Sequence, residues 1–188
     1  SEGSLAIITA VEVRLTPLVE ATASLLAGFT DLAAAAACAG ELARLGASAV
    51  ELLDRSFLEI AASGGHALPL PPGLEAVLIV EAEMSDEITA RRLVEELAAC
   101  AEAGGATHVQ TAMTTQDEVR LWQLRHAASP ILNELAPRLQ SLQLVEDGCV
   151  PPARFAEYVR AVRAALDRAR FQGVIFGHAG DAHCLLYT

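Results

Sequence analysis

The stretch Ser24-Leu-Leu-Ala-Gly-Phe-Thr-Asp-Leu-Ala-Ala-Ala-Ala-Ala-Cys-Ala-Gly-Glu-Leu-Ala-Arg-Leu-Gly46 decides how the rest of the chain is interpreted. Its first residues, Ser24 to Phe29, form a short apolar run that is typical of a buried strand. The alanine-rich segment from Asp31 to Leu45 predicts a helix, which Gly46 closes because glycine readily adopts the backbone of a helix end. The apolar run Ala49 to Leu53 predicts a second strand. Together these segments predict one β-α-β unit.

The same order returns further along the chain. The loop Ser63-Gly-Gly-His-Ala-Leu-Pro-Leu-Pro-Pro-Gly73 is too rich in proline and glycine for regular structure. Ala76 to Ala82 predicts a strand, a helix begins after Ser85, and Thr107 to Met113 predicts another strand. The apolar stripe of that helix comprises Ala90, Leu93, Val94, Leu97 and Ala101. Two such units fold readily as an α+β, ferredoxin-like split βαβ domain, with an antiparallel sheet and helices packed mainly on one face.

The flanking segments add further predicted elements. Leu5 to Leu15 alternates in part and predicts a half-exposed strand that Pro17 stops. Thr115-x-x-Glu118 predicts a capping box at the start of the next helix. Ser141 to Val145 and Gly173 to Phe176 predict two added strands. The helix predicted between them has one apolar face, formed by Phe155, Tyr158, Val159, Val162 and Leu166.

The composition is that of a globular protein. The chain has 188 residues, 53% of them hydrophobic and 20% charged, so we expect one domain with a sizeable core. The formal net charge is −11 and no basic patch appears, which argues against nucleic acid or an anionic membrane as a partner. The apolar segment Leu32 to Ala39 is too short to span a membrane. Scattered cysteines and the lack of a basic, apolar leader favour a cytoplasmic protein with reduced thiols.

Val174-Ile-Phe-Gly-His-Ala-Gly-Asp-Ala-His183 is the stretch in which we expect a functional site. A buried strand ends here in two histidines and a carboxylate, between small residues that leave room for a ligand. Imidazole binds divalent metals or accepts a proton near neutral pH, so His178 and His183 are candidate site residues. The alternative is a polar loop with ordinary histidines, and the residues alone do not separate the two interpretations.

Arg125 and Ser129 form a second candidate pair. They lie four positions apart on a predicted helix and therefore share one face. A guanidinium can bind a carboxylate through two parallel hydrogen bonds, and a hydroxyl one turn later can add another. The alternative is a solvated arginine that pairs with Glu118 or Glu134.

Gly177-His-Ala-Gly-Asp181 resembles a signature in the C-terminal domain of FAD-linked oxidases. That family includes glycolate oxidase, D-lactate dehydrogenase and D-2-hydroxyglutarate dehydrogenase. Other stretches match the same family in order and spacing, so the resemblance covers nearly the whole chain. These stretches are Ser1 to Leu5, Leu121-Trp-Gln-Leu-Arg125, Glu146-Asp147 with Val150-Pro151, and Arg154 to Tyr158. Together they are most similar to the bacterial branch that is fused to an iron–sulfur module.

The resemblance implies a domain division, a cofactor and partners. Residues 1–17 would be the tail end of an FAD-binding domain, and residues 18–188 the substrate (cap) domain, truncated at its C-terminus. FAD would be held mostly by a domain outside this chain, and an iron–sulfur module is a further expected partner; a homo-oligomer is left open. The expected reaction oxidises a 2-hydroxy acid to a 2-oxo acid by hydride transfer to FAD. The segment expected to run beside the flavin comprises Ser1, Glu2, Gly3 and Ser4.

The resemblance also implies roles for the candidate residues. In the family, the residues matching Arg125 and Ser129 bind the substrate carboxylate, and the residue matching His178 is a metal ligand in the metal-dependent members. The sequence departs from that metal pattern, because Leu185 stands where a second ligand is expected and no E-H-G motif follows. His178 and His183 would then form only a weak site for a divalent metal such as zinc. The competing interpretation is a catalytically inert ferredoxin-like binding or assembly module, or an inactive fragment.

Overall fold

The computed structural model describes residues 4–15, 18–65, 68–112, 114–126, 143–171 and 173–187. The strands within these ranges are β1 Ala21–Phe29, β2 Ala49–Asp54, β3 Ala76–Met84, β4 His108–Ala112, β5 Gln143–Cys149, β6 Val174–His178 and β7 His183–Tyr187. The helices are α1 Leu32–Arg44, α2 Arg55–Ser63, α3 Glu87–Ala103, α4 Thr115–His126 and α5 Phe155–Ala169. Short 3₁₀ turns at Pro152–Arg154 and Ala179–Asp181 precede α5 and β7.

The described strands form a single antiparallel sheet. Their order is β4-β1-β3-β2-β6-β7-β5, and every pairing between neighbours is antiparallel. The first four positions in this order reproduce the split βαβ arrangement, in which β1 and β3 pair at the centre. The α+β, ferredoxin-like fold predicted from the sequence is therefore confirmed, and β6, β7 and β5 extend its sheet beyond β2.

The sheet has an apolar layer on each face. The helices α1, α3 and α5 cover one face, and the predicted stripe of α3 is buried in this layer from Ala90 to Ala101. The helices α2 and α4 cover the other face, where Phe57 packs against Phe176 with ring centroids 5.5 Å apart. Three of the five described helices thus share one face, and the second face is where α4 brings Arg125 to the sheet.

Aspartates start three of the helices. Asp31 accepts hydrogen bonds from the first amides of α1, Asp54 accepts one from Phe57, and Asp86 accepts one from Thr89. A side-chain acceptor at this position satisfies an amide that has no partner within the helix, which is worth about 1 kcal/mol. α2 has no counterpart among the predicted elements. It follows β2 without an intervening loop, and its sequence signals are the Asp54 cap and the apolar positions Phe57 and Ala61, which the helix buries.

Two local predictions were wrong. Residues 6–15 have no regular secondary structure, and Leu5, Ile7 and Leu15 are largely exposed. A pattern of alternating apolar and polar residues forms a strand only where a neighbouring strand supplies hydrogen bonds. No described strand pairs with this segment. The capping box is also displaced by one residue. The Thr114 hydroxyl accepts from the Asp117 amide and donates to its carboxylate, whereas Glu118 accepts from Thr22 at 3.3 Å.

Asp54 joins the end of β2 to α5. Its side chain is buried, caps α2 and accepts a hydrogen bond from the Arg163 guanidinium. Burial raises the pKa of Asp54 to about 6, although Arg163 and nearby amides act in the opposite direction. The folded state therefore holds a proton on Asp54 at pH values where the unfolded chain has released it.

This proton makes stability depend on pH. Between about pH 4 and pH 6 the folded state binds the proton more strongly than the unfolded state, so this contribution to the unfolding free energy falls as pH rises. Well above pH 6 both states have released the proton, so this contribution to the unfolding free energy is gone and no longer varies with pH. We expect the unfolding free energy of the wild type, relative to that of Asp54→Asn, to fall over this interval. Urea unfolding of both proteins at pH 4, 5, 6 and 7 measures this difference. Parallel pH profiles for the two proteins would contradict the assignment.

Candidate functional site

A polar cluster occupies the sheet face under α4, where β2 and β6 pair. Glu51 and His178 are direct cross-strand partners, so their side chains lie on the same face. Leu53 and Phe176, which pair two residues along the same two strands and so share this face, belong to the apolar layer beneath α2 and α4. Glu51 and His178 therefore emerge at the edge of that layer.

Glu51 is the centre of this cluster and is only 5% exposed. One of its oxygens, Oε2, accepts a hydrogen bond of 2.6 Å from Nε of Arg125. The other, Oε1, is in hydrogen-bond contact with Nδ1 of His178. A buried carboxylate is strongly destabilising unless its oxygens are paired, and here both are. The structure thus places Arg125 and His178, the two side chains that the sequence singled out for one site, on the same carboxylate.

Sequence reasoning missed Glu51. The available signal is its position within the apolar run Ala49-Val-Glu-Leu-Leu53, because a carboxylate inside a buried strand requires a partner. The sequence could not supply that partner, since Arg125 and His178 lie 74 and 127 positions further along the chain.

Arg125 reaches Glu51 because α4 is anchored to the sheet. Leu121 and Leu124 are buried, and Trp122 packs against the same apolar layer. The Arg125 side chain is only 15% exposed, and its guanidinium carbon lies 5.0 Å from the centroid of the Phe176 ring. The negative face of an aromatic ring stabilises a cation held there. Neither solvation nor pairing with Glu118 describes this contact, and the other predicted partner, Glu134, lies outside the described residues.

His178 is accessible and has a second imidazole beside it. Half of its side chain is exposed, and its ring stacks on that of His183 with centroids 5.6 Å apart and planes 10° apart. Nitrogen lone pairs lie in the ring plane, so two stacked rings do not direct lone pairs at one ion. Within the described ranges, no three side chains of the His, Cys, Asp or Glu type are placed to hold a metal. The described residues therefore do not fit the predicted zinc site.

The structure describes only one of the other predicted site residues. Ser129 lies outside the described residues, as do Ser1, Glu2 and Gly3. Ser4 is described and exposed, in the irregular segment before β1. These residues remain predictions from the sequence.

Acidic side chains of β3 and α4, namely Glu81, Glu83 and Glu118, lie near one another. Burial raises the pKa of Glu81, and the neighbouring charges of Glu83 and Glu118 add to this effect. Burial also raises the pKa of Glu118, which the hydrogen bond from Thr22 opposes. Glu81 and Glu118 therefore become protonated at a higher pH than isolated glutamates do.

A separate cleft of about 600 Å³ lies at the C-terminal end of β2, beyond Asp54. Its wall carries both signs of charge, including Asp31, Arg160, Arg163 and Asp167. The Glu51 cluster does not line it. We place the candidate site at Glu51 and not in this cleft because, among the described residues, only the cluster combines an accessible imidazole with a positioned guanidinium.

Comparison with known proteins gives a family match and several relatives. A family model described as "FAD linked oxidases, C-terminal domain" matches residues 18–188. The glycolate oxidase subunit GlcD of Bacillus subtilis is 32% identical over 185 residues, which cover 97% of this chain and 38% of that protein. The D-lactate dehydrogenase of Archaeoglobus fulgidus is 31% identical over 192 residues, covering 100% of this chain and 41% of that protein. The chain thus spans about two fifths of the length of these relatives.

The comparison with solved structures agrees on the fold. Alkyldihydroxyacetonephosphate synthase superimposes with a TM-score of 0.59 at 10% identity, covering 90% of this chain and 36% of that one. At this identity the match shows the fold alone. Within the described part of the chain, no helix combines the length and apolar character needed to cross a bilayer.

Proposed function

Because this chain belongs to the family of C-terminal domains of FAD-linked oxidases, we propose that it forms the substrate-binding part of a flavin-dependent 2-hydroxy-acid dehydrogenase. Relatives that match along its whole length are named for glycolate and D-lactate, which are both small 2-hydroxy acids. The observation that carries the proposal is the convergence of Arg125 and His178 on Glu51.

The proposed roles follow from the donors and acceptors that the cluster presents. Within the described contacts, Arg125 binds Glu51 through Nε, so its two terminal nitrogens can bind the substrate carboxylate. Ser129, four positions later in the sequence, would add a hydroxyl to that contact. His178 would accept the proton of the substrate hydroxyl, which is the step that general-base catalysis accelerates. FAD, when bound, would supply the chemistry that accepts the C2 hydride.

The remaining parts of the proposal concern the rest of the protein. We assign residues 18–188 to the substrate domain and residues 1–17 to the end of an FAD-binding domain, which would hold most of the cofactor. An iron–sulfur module and a second copy of the chain are proposed partners. All four cysteines are free, which supports a cytoplasmic location.

Substitution of Arg125 tests the proposal in the flavin-loaded enzyme. We expect Arg125→Lys to raise KM for D-lactate or glycolate about 10- to 100-fold, because lysine keeps the charge but loses the planar fork that binds a carboxylate. The measurement is the initial rate of flavin reduction, followed by the loss of visible flavin absorbance, over a range of substrate concentrations.

The matched control is Arg120→Lys, which makes the same change on the same helix. The Arg120 side chain is 60% exposed and contacts Asp117, so its replacement should leave KM unchanged. Equal KM values for wild type and Arg125→Lys would show that Arg125 does not bind the substrate carboxylate.

A further inference from the structure

We propose that Glu51 is the positioning residue of this site, because it fixes the protonated nitrogen of His178 and the orientation of Arg125 through one carboxylate. This inference rests on the proposed function, since it names the group that prepares the base and the carboxylate-binding group for that reaction. Neither the family description nor the names of the relatives assign a role to Glu51.

The first support is the rigid position of Glu51. It lies between its two cross-strand neighbours, Ile79 on β3 and His178 on β6. The adjacent residues of its own strand, Val50 and Leu52, are buried on the opposite layer. A carboxylate fixed by strands on both sides and only 5% exposed has few alternative rotamers. Its two oxygens therefore present their lone pairs in fixed directions.

The second support is the chemistry of the contact with His178. An ionised carboxylate only accepts hydrogen bonds, so the imidazole nitrogen that faces it must carry the hydrogen. A neutral His178 therefore holds its hydrogen on Nδ1, and Nε2 keeps the lone pair that can accept a proton. Glu51 would thus select the tautomer in which Nε2 is the base, and the His183 ring restricts rotation by stacking on one face.

The third support is the matching constraint on Arg125. Its Nε donates to Glu51 and its guanidinium plane lies over Phe176, so two separate contacts fix the direction of the side chain. The same carboxylate thus sets the spacing between the base and the guanidinium. Such fixed spacing is what a bound 2-hydroxy acid requires, because its carboxylate and hydroxyl are attached to the same carbon.

Nitrogen-15 NMR of the histidine rings tests the inference on this chain without any turnover. We would record spectra of histidine-labelled protein at a pH where the rings are neutral, and assign His178 by its loss in His178→Gln. The wild type should show the Nδ1–H tautomer. Glu51→Gln should keep it, because the amide oxygen still accepts a hydrogen bond, whereas Glu51→Leu should shift His178 towards the Nε2–H tautomer.

Two further variants keep the outcome interpretable. Arg125→Leu removes the other partner of Glu51 and should leave the His178 tautomer unchanged. The double variant Glu51→Leu/Arg125→Leu avoids an unpaired guanidinium, so it covers the case in which Glu51→Leu does not fold. An Nε2–H tautomer in the wild type, or an unchanged tautomer in a folded Glu51→Leu protein, would overturn the inference.

Kinetics in the flavin-loaded enzyme separate this inference from the proposed function. Glu51→Gln should lower kcat about tenfold or more, and by a larger factor than it raises KM, because the neutral amide keeps the tautomer but does not stabilise the imidazolium that forms when His178 accepts the proton. An unchanged kcat would overturn the catalytic role of Glu51. If the tautomer depends on Glu51 but the wild type oxidises no 2-hydroxy acid, the proposed function fails and the positioning of His178 stands.

Discussion

Replacing Gly177 by alanine is expected to lower the unfolding free energy by about 2–6 kcal/mol, the sum of backbone strain and overpacking. Gly177 has a φ of +150°, which side-chain-bearing residues rarely adopt. A Cβ placed there would lie 2.6 Å from the carbonyl oxygen of His183 and 3.1 Å from Cα of Cys184. Both are backbone atoms, so relief requires β6 and β7 to separate. A loss of this size is a large part of the 5–15 kcal/mol that stabilises a typical domain.

Gly40→Ala is the matched control, because it adds the same methyl group in the interior of α1. Apart from the neighbouring residues and backbone of α1 itself, no atom lies within 4 Å of the added Cβ, and alanine favours helix by about 0.5–1 kcal/mol over glycine. The two variants should therefore change stability in opposite directions when unfolded in guanidinium chloride. A Gly177→Ala protein as stable as the wild type would show that β6 and β7 do not approach as closely as described.

Replacing Arg125 by leucine is expected to cost about 3–5 kcal/mol, because it leaves the buried Glu51 carboxylate without its cationic partner. The double variant Glu51→Leu/Arg125→Leu should recover most of this loss, since an apolar pair in place of a buried ion pair is often neutral or stabilising. The chain has one tryptophan, Trp122, and it lies on the same helix as Arg125. Its fluorescence during denaturation therefore reports the release of α4 from the sheet.

Arg120→Leu is the control for the loss of a cation from α4. Its side chain is 60% exposed, and a surface substitution of this kind usually changes stability by less than about 0.5 kcal/mol. If Arg125→Leu were equally mild, or if the double variant were less stable than Arg125→Leu, Glu51 would not depend on Arg125 for its burial.

The split βαβ core was predictable because its signals are local and agree with one another. The apolar runs of β1, β2 and β3 have lengths typical of strands, and α3 has a stripe that repeats at the helical period. Sheet order was predictable because alternating β-α-β units leave few topologies. These features depend on residues that are close together in the sequence.

The elements that sequence reasoning missed lack such signals. α2 has nine residues and starts directly after β2, so no loop separates it from the strand. β7 follows a turn at Ala179–Asp181 and has only five residues. The strand predicted for Leu5 to Leu15 shows the opposite case, in which a strand-like pattern has no described pairing partner.

The sequence indicated two residues of the site, Arg125 and His178, but not the carboxylate that joins them. Arg125 and His178 have side chains whose chemistry indicates function, and each stands in a recognisable stretch. Glu51 could be noticed as a carboxylate in an apolar run, but its two partners come from distant segments. Only the register of β2 against β6 shows that these residues meet, and register is a property of tertiary structure.

The pairing of β2 with β6 has a consequence for biosynthesis. Residues 21–112 contain all four strands of the split βαβ unit, so that unit can form while the remainder is still within the ribosome. Until β6 emerges, β2 is an open edge that can recruit strands from other nascent chains, and Glu51 lies there without its partner His178. Translation that stops before Val174 would therefore yield a compact but aggregation-prone product in which the polar cluster has never been assembled.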